Sequence, residues 1–107
     1  MRDYAKEERH ELNKMGARAH RNSGRGKYQK ADGNLPDFIV DTKSYENGFR
    51  ITPSVWAKLC TDAIKTDKNK SPLLHLSLGP EGRKVRLVVI EQSMFEDIME
   101  RAIDDSA

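Results

Sequence analysis

The sequence alternates between stretches with helical and with strand periodicity, and this alternation limits the chain to a sheet covered by helices. Its clearest helix starts at Thr52-Pro53, where a capping hydroxyl precedes a proline in the first turn. Apolar residues then repeat at helical spacing and predict one buried face: Trp56, Leu59, Cys60, Ala63 and Ile64. Strand-forming residues lie on both sides of this helix. We therefore expect strands before and after it.

Periodicity and turn residues predict the other elements. A first helix is expected over residues 3–15, and a last helix behind a capping box at Ser93 and Glu96, with an apolar face that contains Phe95, Ile98, Met99 and Ala102. Strands are predicted over residues 17–21, 30–32, 37–45, 73–78 and 85–90, with a tight turn at Gly33-Asn34 and a hairpin turn over 79–82. The order α-β-β-β-α-β-β-α predicts an α/β (α+β) fold, a mixed central β-sheet flanked by helices.

The length and composition indicate a single domain, expected over residues 1–107. A content of 34% charged and 36% hydrophobic residues is typical of a soluble globular protein. No stretch approaches the ~20 apolar residues of a membrane span, and the charged N-terminus lacks the apolar core of a signal peptide. We expect a cytoplasmic protein without a membrane partner. The single Cys60 cannot form an internal disulfide and is expected to pack as a small apolar residue.

A basic, glycine-rich segment lies between the first helix and the central strand. Residues 17–31 contain no carboxylate, although the net charge of the whole chain is only +2. The basic residues of this segment are Arg18, Arg21, Arg25, Lys27 and Lys30. With His20 and Ser23 as further donors, they form a patch suited to contacts with the phosphates of a nucleic acid. The alternative is an ordinary solvated loop.

The strand over residues 37–45 contains a carboxylate and an amine at alternate positions. Side chains alternate along a strand, so Asp41 and Lys43 project to the same face. If residues 30–32 pair with this strand, Asp32 lies beside Asp41. Two carboxylates can hold Mg²⁺, which activates water and neutralises charge on phosphorus, while Lys43 orients the water or stabilises the transition state. The alternative is an exposed charge pair of little energetic value.

The segments Gly16-Ala17-Arg18-Ala19-His20-Arg21-Asn22-Ser23-Gly24 and Asp41-Thr42-Lys43-Ser44 resemble the catalytic core of phage and archaeal Holliday junction resolvases of the PD-(D/E)XK superfamily. The resemblance covers roughly residues 5–66. It implies a restriction-endonuclease-like core in which Asp32, Asp41 and a helix glutamate bind the metal and Lys43 completes the catalytic set. It also implies a homodimer that uses Mg²⁺, or Mn²⁺ in its place, to cut branched DNA.

Two of the catalytic positions have alternatives. The literal Pro-Asp pair is Pro36-Asp37, four residues before Asp41 and about 13 Å from it along a strand, so Asp32 is preferred and Asp37 is the alternative. The triplet also has aspartate where glutamate is commoner, which keeps the ligand chemistry. The helix acid is one of three glutamates: Glu7, Glu8 and Glu11. We choose Glu8 because it shares a helix face with apolar residues.

Together these features predict a Mg²⁺-dependent endodeoxyribonuclease, with a structure-specific Holliday junction resolvase favoured. A nicking, repair or homing endonuclease with the same core is the alternative within this class. The alternative outside it is a catalytically silent DNA-binding protein, in which the basic segment grips phosphates and the acids balance charge.

Overall fold

The computed structural model of the protein describes residues 3–15, 18–19 and 33–106, with the backbone alone for residues 18, 19 and 106. The elements of this part of the chain are α1 (Tyr4–Lys14), β1 (Arg18–Ala19), β2 (Gly33–Asn34), β3 (Phe38–Tyr45), α2 (Pro53–Thr66), β4 (Ser71–Leu78), β5 (Val85–Val89) and α3 (Gln92–Ser106). The predicted element order and the predicted α/β (α+β) class are confirmed. No helix in the described ranges is both long and apolar enough to cross a membrane.

The strands form a mixed sheet in the order β1-β2-β3-β4-β5. The β1–β2, β2–β3 and β4–β5 pairs are antiparallel, and the β3–β4 pair is parallel. A parallel pair needs a crossover connection, which contains α2. The central strand of the sheet is therefore β3, the strand that contains Asp41 and Lys43.

Helices α1 and α2 cover opposite faces of the sheet. Val40 of β3 packs with Leu12 of α1 and Leu73 of β4. Its neighbour Ile39 packs with Ala63 of α2. Because consecutive strand residues point to opposite faces, the α1 face of the sheet contains Val40 and the α2 face contains Ile39. The core is thus divided into two layers by the sheet.

The first two helices begin where their capping residues predict. The Asp3 side chain accepts a hydrogen bond from the Lys6 backbone N–H at 3.1 Å, at the start of α1. Thr52 Oγ1 accepts from the Val55 N–H at 3.2 Å, at the start of α2, and Pro53 occupies the first turn. These contacts satisfy backbone donors that have no partner inside the helix. The prediction for the start of α2 is confirmed.

The predicted turn at Gly33-Asn34 is wrong. These two residues form β2, and the chain reverses at Pro36-Asp37, where Leu35 and Phe38 exchange backbone hydrogen bonds of 2.9 and 3.3 Å. Proline suits this turn because its fixed φ matches a turn position and because it has no N–H to donate to a ladder. The predicted strand over residues 30–32 lies outside the described residues. Of the strand predicted over 17–21, Arg18 and Ala19 are in β1.

Two further expectations about the helices are wrong. Helix α3 begins at Gln92, so Ser93 lies inside it, and the Met94 and Phe95 N–H groups donate to the Glu91 carbonyl at 3.0 and 3.2 Å. Ser93 therefore cannot be the N-cap of the predicted box. Ile64, expected on the buried face of α2, is 61% exposed. It lies about 100° around the helix from Ala63, which faces the sheet.

Candidate functional site

The acid and the amine predicted from the sequence lie together on the α2 face of β3. Asp41 and Lys43 are two and four residues after Ile39, so all three side chains project to that face. The Lys43 Nζ lies 3.5 Å from Asp41 Oδ1. The Lys43 side chain is 32% exposed and that of Asp41 17% exposed. Solvent and ligands therefore reach a charge pair that is partly dehydrated, where electrostatic interactions are stronger than in bulk water.

Most of the other predicted site residues lie outside the described residues. These are Asp32, His20, Arg21, Ser23, Arg25, Lys27 and Lys30. Arg18 is described by its backbone, which pairs with Asn34 across β1 and β2. The alternative acid, Asp37, lies in the turn before β3 and is exposed. Asp37 therefore precedes β3, so the alternation of side chains along that strand does not place it on the same face as Asp41.

Among the three candidate helix acids, Glu8 contacts the strand that contains Asp41 and Lys43. Its Oε2 accepts a hydrogen bond from the backbone N–H of Ser44 at 2.8 Å. Glu7 and Glu11 instead form ion pairs with residues of the β4–β5 hairpin: Glu7 Oε1 lies 3.3 Å from Lys84 Nζ, and Glu11 Oε1 accepts from Arg86 Nη2 at 3.0 Å. The helix acid that contacts β3 is therefore the one expected from the helix-face argument, but α1 covers the face of the sheet opposite to the Asp41 and Lys43 side chains.

The described residues supply part of a divalent metal site. No three His, Cys, Asp or Glu side chains within residues 3–15 and 33–105 form a group that could hold a metal ion. Asp41 offers one partly exposed carboxylate, and carboxylate oxygens are the ligands that Mg²⁺ prefers. The second predicted carboxylate belongs to Asp32, outside this part of the chain. A complete metal site thus requires that residue in addition to those described.

A buried polar layer under α1 is a feature that the sequence analysis missed. Thr42 Oγ1 lies 3.4 Å from His75 Nδ1, and burial lowers the pKa of His75. Ser44 and Ser77 are partners in the β3–β4 register, and their buried hydroxyls have no hydrogen-bond partner among the described residues. The signal for this layer is the i, i+2 spacing of these polar residues, opposite in phase to Asp41 and Lys43.

The same face of the sheet contains an ion-pair network that joins α1 to the β4–β5 hairpin. The Glu11 side chain is 1% exposed. Hydrogen bonds from the Arg86 guanidinium, together with the charges of Arg86 and Lys84, outweigh the effect of burial and lower the pKa of Glu11 to about 2. Glu11 of α1 is therefore a buried, charged carboxylate on the opposite side of the sheet from Asp41.

The chain thus presents a partly dehydrated acid and amine on one face of the sheet and an ion-pair network on the other. The first consists of neighbours on one strand, and the second joins residues 75 positions apart in the chain. Comparison of the chain with protein families, with curated proteins and with solved structures finds no match in any of the three.

Proposed function

We propose that the protein is a metal-dependent endonuclease of the PD-(D/E)XK type, which hydrolyses DNA phosphodiester bonds. The β2–β3 register is the observation that supports this most. Gly33 opposes Val40 and Asn34 opposes Ile39. If the antiparallel ladder continued by one pair, it would join position 41 to position 32. Directly opposite residues share a face, with Cβ atoms about 5 Å apart. On this proposal Asp32, which lies outside the described residues, faces Asp41.

In the proposed site, Asp32 and Asp41 hold Mg²⁺, or Mn²⁺ in its place, together with water and a phosphate oxygen. When bound, the ion lowers the pKa of a water molecule and neutralises charge on the phosphate. The Lys43 ammonium, 3.5 Å from Asp41, is close enough to donate a hydrogen bond to the attacking water or to a charged phosphate oxygen. Glu8 holds the end of β3 from the α1 side through the Ser44 N–H, and we propose it as the helix acid that positions this strand.

The position of this strand in the sheet also favours the proposal. The acid and amine lie on β3, at the centre of a mixed sheet with the order α-β-β-β-α-β-β-α, which is the arrangement that the resemblance implies. Asp41 and Lys43 lie in the stretch of β3 that pairs along its whole length with β4, so the backbone that carries their side chains is held in place from that side. Preorganised charges of this kind stabilise a transition state without the cost of reorganisation.

Within this class we propose a Holliday junction resolvase that acts in the cytoplasm as a homodimer on branched DNA. A twofold dimer presents two copies of the site, as symmetric cutting of a four-way junction requires. Specificity for branched DNA would come from the shape of the DNA and the spacing of the two sites. The basic residues of the 17–31 segment are proposed to contact the DNA backbone.

A cleavage assay on four DNA forms tests the proposal. Wild-type protein is incubated with four-way junction, nicked, single-stranded and linear duplex DNA, in Mg²⁺ or in EDTA. We expect Mg²⁺-dependent cutting that prefers the junction. Asp32→Asn, Asp41→Asn and Lys43→Ala should each reduce cleavage by a factor on the order of 100 or more, because each removes a metal ligand or a charge at the phosphate. DNA binding in EDTA should be largely retained.

The matched controls remove a charge of the same sign at a position away from the proposed site. Asp37→Asn removes a carboxylate four residues from Asp41, and Lys68→Ala removes an exposed amine; both should cleave as wild type. Wild-type turnover by Asp41→Asn and Lys43→Ala would overturn the assignment of the site. Cutting without branch preference would leave the nuclease and remove the resolvase. DNA binding with no cutting in Mg²⁺ or in Mn²⁺ would favour a catalytically silent DNA-binding protein.

A further inference from the structure

A cleft between the outer side of α1 and the β4–β5 hairpin concentrates positive charge on the face of the sheet opposite to Asp41 and Lys43. It consists of two adjoining cavities of about 440 and 470 Å³, which share Glu7, His10 and Lys84. Its basic lining residues are Lys6, Arg9, Lys14, Arg83, Lys84 and Arg86. Three glutamates line it as well, which leaves an excess of three positive charges. This excess exceeds the net charge of +2 of the whole chain.

The carboxylates of this cleft lie mostly below its surface, whereas most of the basic groups lie on it. The side chains of Glu7 and Glu11 are 14% and 1% exposed. Both form ion pairs with Lys84, and Glu11 also pairs with Arg86. The low pKa of Glu11 keeps its carboxylate charged at neutral pH. The remaining cations, with Lys14 and Arg83 among them, are exposed. Glu7 and Glu11 therefore hold the base of the cleft, and its rim, which includes the exposed Glu81, has a net positive charge.

The rim is long enough to follow a few phosphates of a DNA backbone. Lys6, Arg9, His10, Asn13 and Lys14 recur at spacings of three and four, so they form one stripe along α1. From Lys6 to Lys14 this stripe rises about 12 Å at 1.5 Å per residue. Along one DNA strand that length corresponds to roughly three phosphates at 3.4 Å of helix axis each. Arg83 approaches from the hairpin on the other side of the cleft.

We propose that this cleft binds the sugar-phosphate backbone of a second DNA arm, while the α2 face of the sheet binds the arm that is cut. The inference rests on the proposed function and adds the surface by which a branched substrate is distinguished from a linear one. A linear duplex lying on the α2 face cannot also follow the opposite face of the sheet, whereas a junction has arms that diverge. None of the residues of this rim is among the DNA contacts predicted from the sequence.

Fluorescence anisotropy in EDTA tests the cleft without cleavage. The double variant Lys14→Ala/Arg83→Ala removes two exposed charges and is compared with Lys65→Ala/Lys68→Ala, which removes two exposed charges near the end of α2. We expect the first to bind the four-way junction on the order of tenfold more weakly, with a salt slope reduced by roughly two, and to bind linear duplex nearly as wild type. The control should keep the wild-type preference for the junction.

The second-arm inference is overturned if Lys14→Ala/Arg83→Ala binds junction and linear duplex with equally reduced affinity, or if it binds the junction as tightly as wild type. It is also overturned if Lys65→Ala/Lys68→Ala loses as much affinity for the junction. Thermal unfolding of both variants verifies that they are folded. Mg²⁺-dependent cleavage by the wild type is measured separately. If cutting is present and the cleft variant keeps its junction preference, the cleft proposal fails alone. If the preference is lost as expected but the wild type does not cut, the nuclease proposal fails and the cleft remains.

Discussion

At the scale of single residues, Glu11 shows how a charge is kept inside this small domain. Its carboxylate is almost fully buried, and it is stabilised by Lys84, just before β5, and by Arg86 of β5. Burial of an unpaired carboxylate would be costly, so removing either partner should destabilise the fold. The contact ties the first helix to the β4–β5 hairpin, and it fixes the base of the cationic cleft.

We expect the stability of the protein to fall in acid in two stages. Burial lowers the pKa of His75 below its ordinary value of 6.5, so the unfolded chain takes up a proton first as the pH falls below that value. The pKa of Glu11 is about 2 in the folded protein against an ordinary 4.5, so its contribution is complete above about pH 5 and is lost towards pH 2. Urea unfolding between pH 2 and 8 measures both stages.

Glu11→Gln should lower the free energy of unfolding at pH 7 by on the order of 3 kcal/mol, because it leaves Arg86 and Lys84 without their buried anion. It should also flatten the profile below about pH 5. His75→Gln should flatten the profile just below pH 6.5 instead. Glu100→Gln, on the exposed helix α3, is the control and should follow the wild type. A Glu11→Gln profile parallel to the wild type would contradict the expected role of this carboxylate.

The sequence predicts some residue roles and misses others for one physical reason. Asp41 and Lys43 share a face because they are two residues apart in a strand, which is a local relation. The burial of Glu11 depends on Arg86, 75 residues away in the chain, and no local pattern indicates that pairing. The three glutamates of α1 look alike in the sequence, and their different partners become apparent only when the sheet is assembled.

At the scale of elements, turns and helix starts follow local chemistry where no tertiary contact competes. The hairpin turn over 79–82 and the capped start of α2 agree with prediction. The β2–β3 turn does not, because Gly33-Asn34 and Pro36-Asp37 both suit a turn. Placing the reversal at Pro36-Asp37 pairs Leu35 with Phe38, and both side chains pack against the core cluster that contains Leu12. Packing therefore decides between two turn sequences of similar propensity.

Two glycines of the β4–β5 turn should differ in their tolerance of a side chain. Both have positive φ, +112° at Gly79 and +84° at Gly82. A Cβ on Gly79 would lie 3.0 Å from the Arg83 carbonyl oxygen, whereas a Cβ on Gly82 meets no atom within 4 Å. We expect Gly82→Ala to cost about 1 kcal/mol of unfolding free energy, and Gly79→Ala to cost at least about 1 kcal/mol more.

Urea unfolding of the two alanine variants measures this difference, and Gly48→Ala is a further comparison because its Cβ would also meet open space at positive φ. Equal losses at Gly79 and Gly82 would show that conformation alone, without the close approach to Arg83, determines the cost. The hairpin also positions Arg83 at the cleft, so Gly79→Ala should weaken junction binding more than Gly82→Ala if the turn distorts.

At the scale of the whole molecule, exposed apolar side chains are concentrated at the last strand and helix. Helix α3 is held at its start, where Glu91 Oε1 accepts from Trp56 Nε1 at 3.0 Å and the Ser71 hydroxyl contacts Met94 Sδ at 3.3 Å. Beyond that start, large apolar residues are 40–62% exposed. On β5 and α3 these include Val85, Leu87, Phe95, Ile98, Met99 and Ile103. A surface of this kind indicates an interface.

If the exposed apolar residues of β5 and α3 formed one surface, its area would reach the lower range of a protein dimer. Large apolar side chains have on the order of 150–200 Å² each, so six that are about half exposed present on the order of 500 Å² per chain. A symmetric pair would then bury about 1,000 Å², the lower end of specific interfaces, before any polar rim is counted. The proposed homodimer would cover these apolar residues, which are exposed in the described part of the chain.

We expect the wild type to sediment as a dimer at micromolar concentration. The double variant Phe95→Asp/Ile98→Asp should sediment as a monomer, because a twofold contact would place each new charge in an apolar interface. Asp104→Ser/Asp105→Ser changes two polar residues of the same helix and should remain dimeric. If cutting of a junction needs paired sites, the monomeric variant should nick one strand and lose paired cutting, while far-UV circular dichroism stays unchanged. A monomeric wild type, or a dimeric Phe95→Asp/Ile98→Asp variant, would place the dimer contact elsewhere or remove it.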